Sequence, residues 1–191
     1  MPELPAVAAW RHVDSRVGFE VLFVHPEADG YRFRGHSTAV EDGEAWSVRY
    51  EISVDASWAT RRAQVVAESR RGAAELRLER DAAGGWRVDD LPTPALDSLL
   101  DVDLEASAFT NALPVQRLGL AAGESAAAPA VYVRAPGLEI ERLEQRYTRL
   151  DDDGERSRYD YESPSFDFRA ELVYDEFGLV LDYPGIAVRI A

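Results

Sequence analysis

Two carboxylates one residue apart, Asp101 and Asp103, open the run DVDLEASAFTNALPVQRLGL at positions 101–120. In an extended chain, residues i and i+2 share a face, so both acids point the same way. Such a pair suits acid–base work on a glycosidic bond. An Asp-x-Asp can also hold a divalent metal in some sugar transferases. The same side chains serve equally well as acceptors for backbone N–H groups of a following turn. Three arginines form a second group, Arg61 and Arg62 side by side and Arg117 alone. A guanidinium fork grips a carboxylate or phosphate through two bonds. On a strand Arg61 and Arg62 face opposite sides, and alternation from Ala63, Val65 and Ala67 turns Arg61 inward. There it needs a carboxylate, Asp101 or Asp103, either as an internal ion pair or as part of a head-group site.

Other chemistries lack their residues. The chain has no cysteine, which excludes disulfides, thiolate catalysis and Cys-type zinc sites. His12, His25 and His36 fall on different predicted elements without metal-ligand spacing and read as surface or turn residues. No G-x-S-x-G elbow and no Gly-rich phosphate loop occur, so no cofactor and no metal are called for. The 35 acids outweigh 21 basic residues, all arginine, for a net charge of −14. A chain this acidic repels phosphate backbones, so a nucleic-acid partner is not expected. The N-terminus MPELPAVAAWRHV lacks the basic start and apolar core of a signal peptide. No apolar run approaches the ~20 residues of a spanning helix. The expectation is a cytoplasmic protein without a transmembrane segment, its oligomeric state left open.

The elements that must position these residues are mostly strands. Trp46, Val48, Tyr50, Ile52 and Val54 alternate with Ser47, Arg49, Glu51, Ser53 and Asp55, one face apolar and the other polar. Further strand signals cover 19–24, 60–68, 75–79 and 86–88, with turns between them, the pattern of an antiparallel meander. Residues 91–100 suit a short helix or an ordered loop, and 121–129 a mobile loop. Strands resume at 130–134, 138–150 and 158–161, then in the alternation Phe166, Phe168, Ala170, Leu172, Tyr174, and at 179–183 and 186–190. Trp46, Tyr50, Trp58, Phe109, Tyr147, Phe166 and Phe168 are mainly core, with a minority free to line an apolar cavity. Strands do not alternate with long helices, which argues against a doubly wound fold. The fold predicted is mainly β, a many-stranded antiparallel sheet rolled as a spiral β-roll or barrel around one short central helix, in a single domain over 1–191.

The helix belongs to the central run. Ser107 can cap a turn, and Phe109, Ala112, Leu113 and Gln116 follow helical spacing. Pro114 interrupts the pattern, so either a turn ends near Leu113 or a helix restarts at Pro114 and stops at Gly119. Arg117 falls beside apolar positions. It is expected to be mostly buried and bonded to Asp103 or to backbone carbonyls of the 105–112 turn.

The segment 103–118, with its core FTNALPVQRL, resembles the signature of a bacterial family of glycolipid-binding proteins. Shorter pieces agree in order along the chain: Gly18-Phe19-Glu20, Trp58-Ala59-Thr60-Arg61-Arg62, Gly85-Trp86, Phe177-Gly178-Leu179-Val180 and Asp182-Tyr183-Pro184. The resemblance thus spans nearly the whole chain. Ala108 departs from it, standing where the pattern has proline. The resemblance implies a spiral β-roll around a single helix and a lipid or glycolipid held without catalysis. The family's lipid role rests on likeness of shape to lipoprotein carriers, an analogy of fold. Arg61, Asp103, Thr110, Asn111 and Arg117 are then the candidates for the head group, and Trp58, Phe109 and Tyr147 for the apolar part. The competing reading is a hydrolase or transferase of sugar conjugates working through Asp101 and Asp103, which requires both in one open cleft.

Overall fold

The structure is a computed structural model and describes residues 3–14 and 16–191. The chain opens with β1 (Val7–His12), β2 (Val17–Glu27) and β3 (Gly30–Glu41). The alternating run forms β4 (Glu44–Val54), followed by β5 (Thr60–Ser69), β6 (Gly72–Arg80), β7 (Trp86–Val88) and β8 (Leu91–Pro92). Its apolar face turns inward as predicted, with Val48, Tyr50, Ile52 and Val54 all buried. The central run then supplies β9 (Asp101–Leu104), a 3-10 turn (Phe109–Asn111) and α1 (Ala112–Leu118). After it come β10 (Ser125–Ala127), β11 (Ala130–Val133), β12 (Ile140–Leu143) and β13 (Arg146–Arg149). The chain closes with β14 (Ser157–Ser163), β15 (Phe168–Tyr174), β16 (Val180–Tyr183) and β17 (Ala187–Arg189).

Fourteen of these strands make one antiparallel sheet in the order β10-β13-β14-β15-β16-β17-β1-β2-β3-β4-β5-β6-β7-β8. The two ends of the chain meet in its middle, where β1 pairs with β17 and Trp10 stands opposite Arg189. A small sheet, β12-β11-β9, carries the central carboxylates, with β9 parallel to β11. Both halves of the large sheet reach the helical segment. Phe109 packs on Phe33 of β3 at 4.5 Å between ring centroids, and Asn111 bonds Tyr147 of β13. The sheet therefore curls around this segment, a mainly β architecture with one short helix.

Two cores lie on the two sides of the helical segment. Phe33, Ile52, Leu78, Leu99, Phe109 and Leu113 belong to the first. Tyr147, Tyr159, Tyr161, Leu172 and Tyr174, with Val115 of α1, belong to the second. The helix does not restart at Pro114. The 3-10 turn runs straight into α1, with Pro114 in its first turn, where a missing N–H costs no intrahelical bond. Gly119 ends it in the left-handed region, φ 55°, as predicted.

Several boundaries differ from the sequence reading. Residues 138–150 are two strands in different sheets, β12 in the small one and β13 in the large one. Phe166 lies outside β15, in a 3-10 turn (Pro164–Phe166), and is exposed. The stretch 121–129 is not all loop, because β10 pairs with β13 there. Residues 91–100, read as a short helix or ordered loop, do contain a short 3-10 turn (Pro94–Leu96).

Candidate functional site

The two central carboxylates have different partners. Asp101, fully buried, receives a two-pronged bond from Arg117: Nε to Oδ1 at 3.0 Å and Nη2 to Oδ2 at 2.6 Å. The Arg117 side chain is 15% exposed, so its predicted burial holds, but its predicted partners, Asp103 or backbone carbonyls of the 105–112 turn, are corrected to Asp101. The helix sets this choice: Arg117 lies in its last turn and reaches the start of β9. Burial still pushes the Asp101 pKa up, against the pull of Arg117 and Arg80. Asp103 instead accepts the Thr110 hydroxyl at 2.8 Å, and Thr110 also accepts the Leu104 N–H at 3.2 Å. Among the described residues no cation bonds Asp103. Burial first, then the charges of Asp101 and Glu105, push its pKa up to about 6.

A third carboxylate, Glu20, escaped the sequence reading. It is fully buried on the inner face of β2. It accepts the Ala108 N–H at 2.7 Å, the Tyr50 hydroxyl at 2.5 Å and the Ser107 hydroxyl. Ser107 was expected to cap the turn; the cap instead comes from Glu20, across the core. Gly35, opposite Tyr50, makes room for this network, since a Cβ there would fall 1.9 Å from the tyrosine Cζ. The only sequence signal was an acid in step with Leu22 and Val24.

Arg61 is corrected from inward to exposed. A β-bulge pairs Ser53 with Arg62 but Val54 with Thr60, so Arg61 is looped out and Thr60 takes the inward place. Arg61 bonds Asp29 at 2.8 Å rather than Asp101 or Asp103, and Arg62 faces Glu79. Phe109 and Tyr147 are fully buried in the two cores. Asn111 is buried and accepts the Tyr147 hydroxyl at 2.9 Å. His12 is buried rather than superficial, bonded to Ser37, with its pKa lowered to about 4 by burial and by Arg16. The central run thus brings Asp103, Thr110, Asn111 and Tyr147 together. Arg117 and Asp101 pair beside them, and Arg61 and Trp58 lie elsewhere.

Two cavities flank this polar seam. The larger is a cleft of about 840 Å³ beside the C-terminal half of α1, touching Val115, Gln116 and Gly119. Tyr31, Trp58, Tyr159 and Phe177 supply aromatic wall, and Arg149 and Glu155 are among its polar groups. Trp58 is held in the left-handed region, φ 66°, which is uncommon for so bulky a residue. Asp55 organises the loop that holds it there, accepting the Ser57 N–H, the Ser57 hydroxyl and the Ala59 N–H on one carboxylate oxygen. The Trp58 ring leans on Tyr31 at 5.2 Å and Phe33 at 5.8 Å. The smaller cavity, about 310 Å³, lies before the helix and is lined by Asp103, Ser107, Asn111, Tyr161 and Tyr183 among others. Asp101 lines neither cavity. The two acids therefore do not share an open cleft, the geometry a paired-carboxylate hydrolase requires. No group of three or more His, Cys, Asp or Glu able to hold a metal occurs among the described residues. Among them also, no helix is long and apolar enough to cross a membrane.

A large antiparallel sheet curled about a short helix, with ligand-sized cavities at the two ends of that helix, defines a β-roll class of protein. Residues 7–189 match the family described as "Putative glycolipid-binding", and the chain belongs to that family. A crystal structure of a DUF1089 family protein from Pseudomonas aeruginosa is similar at 37% identity and a TM-score of 0.76, covering 90% of this chain and 92% of that one. A β-barrel-like protein of DUF1849 from Brucella abortus shares the fold at 12% identity and a TM-score of 0.50, over 96% and 92% of the two chains. No curated protein matches the sequence.

Proposed function

We propose that the protein binds a glycolipid-class amphiphile, without catalysis, and that the 840 Å³ cleft takes its sugar head group. The observation that carries this reading is the lining. Aromatic rings stack on the C–H faces of a sugar, and Tyr31 and Trp58 offer two of them at one opening, while Tyr159 lies buried under the Arg149 guanidinium. The volume lies within the ~300–1,000 Å³ of ligand pockets. Family membership supports the ligand class.

The cleft's charges narrow the head group. Glu27, Asp152, Glu155, Asp175 and Glu176 line it against Arg149 alone. Carboxylates accept sugar hydroxyls but repel phosphate and sulfate. The ligand is therefore a neutral glycoside. Leu4, Val115 and Phe177 give the apolar part a place beside it. The test is titration calorimetry with octyl glucoside below its micelle concentration, against octyl phosphate. Wild type should bind the glucoside about tenfold or more tightly than the phosphate, and Trp58→Ala should lose most of that binding. Equal binding of the two probes, or a Trp58→Ala variant that binds like wild type, would defeat the reading.

A further inference from the structure

The smaller cavity has features that neither the cleft nor the family's description accounts for. Its floor holds Asp103, whose Oδ1 is taken by Thr110 and which no cation bonds among the described residues. The nearest candidate, Arg117, is committed to Asp101 through both prongs. The two arginines at the cavity also have partners, although the buried Arg16 Nε has none among the described residues. Arg16 donates to the Glu105 carbonyl at 2.6 Å and lies over the Trp46 ring, and Arg134 pairs with Glu141 at 2.7 Å over the Tyr132 ring. Beside Asp103 stands Asn111, only 3% exposed. Its oxygen accepts from Tyr147, and among the described residues its NH₂ donates to no protein acceptor.

One wall is aromatic. Tyr161, Phe168 and Tyr183 line the cavity with ring centroids 6.0–6.1 Å apart and planes inclined at 58–75° to one another. The electron-rich face of a ring attracts an organic cation, and three rings at one cavity offer it such faces. A buried carboxylate without a cation is costly, and a ligand ammonium would remove that cost. A metal ion is not supported, because no metal-holding group of acids and histidines is present among the described residues. The Asn111 NH₂ calls for an acceptor oxygen on the same ligand.

We propose that this pocket binds a small hydroxylated ammonium ion, an amino alcohol or amino sugar, with its nitrogen on Asp103 and the three rings and its oxygen accepting from Asn111. The volume of about 310 Å³ limits the ligand to this size class. The site is independent of the cleft, so either can fail alone.

The experiment uses ethanolamine and glucosamine, with ethylene glycol and glucose as neutral partners, read by NMR shifts and calorimetry on the full chain. Each amine should bind about tenfold or more tightly than its neutral partner. Asp103→Asn should weaken amine binding by a similar factor while leaving octyl glucoside binding in the cleft unchanged. Phe168→Ala, at a half-buried position, should weaken the amines in a variant with native near-UV circular dichroism. Competition by phosphatidylethanolamine vesicles, and not by phosphatidylcholine vesicles, would assign the amine to a lipid head group; competition by neither would assign it to a soluble amine. The proposal is overturned if the amines bind no better than their neutral partners, or if both folded variants bind them like wild type.

Discussion

The two interiors of this roll are built from different chemistry. The first core is almost purely apolar, and Glu20 with its bonded hydroxyls is its main polar intrusion. The second contains five tyrosines, Tyr147, Tyr159, Tyr161, Tyr174 and Tyr183. Burial drives the phenol pKa values of Tyr147, Tyr174 and Tyr183 upward, so they remain neutral donors that require acceptors. Tyr147 finds Asn111 and Tyr161 finds Gln145. Both cavities border this tyrosine core, the cleft through Tyr159 and the pocket through Tyr161 and Tyr183. The apolar core fixes the curl of the sheet. The tyrosine core, whose contacts depend on directional bonds, leaves space that a polar ligand can use.

The sharpest way to break the contrast is to remove a large apolar group from the first core. Phe109→Ala deletes a fully buried ring packed on Phe33 and should cost about 3–5 kcal/mol in denaturant unfolding. A loss below about 1.5 kcal/mol would mean that this core collapses as readily as a loose one. Arg117→Met comes next. It strands Asp101 inside the protein, with an expected loss of about 3 kcal/mol or more. Replacing Asp101 by Leu in the same chain should return part of it, and strict additivity would show that the pair is not coupled.

Asp103 and His12 set a pH dependence with opposing signs. The Asp103 pKa rises from 3.8 unfolded to about 6 folded. The folded state then holds its proton more tightly, so stability falls as pH rises from about 4 to 6. The His12 pKa drops from 6.5 to about 4, so its contribution is present above 6.5 and is lost as pH falls to 4. The two slopes oppose each other, and the raised pKa values of Asp101, Glu20 and Asp175 act on the Asp103 side. Asp103→Asn should remove the Asp103 slope. The variant should gain on the order of 2 kcal/mol over wild type at pH 7.5, and that gain should vanish on acidification from about pH 6 to 4. An unchanged profile in thermal melts would show that Asp103 titrates as it does in the unfolded chain.

Sequence periodicity carried the strands but not their partners. Residues 46–54 were legible because their charged positions could face only solvent. β1 was not, and it lies between β2, the next strand, and β17, at the other end of the chain. The FEVLFV run is apolar on both faces, so nothing local told that Glu20, Leu22 and Val24 go inside while Phe19 and Phe23 stay exposed. Arg61 failed through a single inserted residue, since a bulge reverses the facing of everything on one side of it. The central run revealed its helix through spacing and its end through Gly119. It could not reveal which aspartate Arg117 would meet, because that depends on the docking of the helix against β9. The cavities were the least legible. Tyr31, Trp58, Tyr159 and Phe177 come from four distant stretches that only the rolled sheet brings to one opening.

The smallest effect predicted tests the tyrosine core on its own terms. Tyr147→Phe keeps the ring, and with it the packing on Tyr161 at 5.0 Å, but removes the hydroxyl that reaches Asn111. The Asn111 oxygen then loses its donor inside the protein, at about 1–2 kcal/mol. Freed of Tyr147, the Asn111 side chain can also turn its amide, which would alter the donor it offers to the smaller pocket. Amine binding should therefore weaken in Tyr147→Phe although Tyr147 does not line that pocket. Phe33→Leu in the apolar core, a change of packing without loss of a hydrogen bond, should leave amine binding as it was. If the two variants were to alter binding equally, the directional bonds of the second core would not be what positions Asn111.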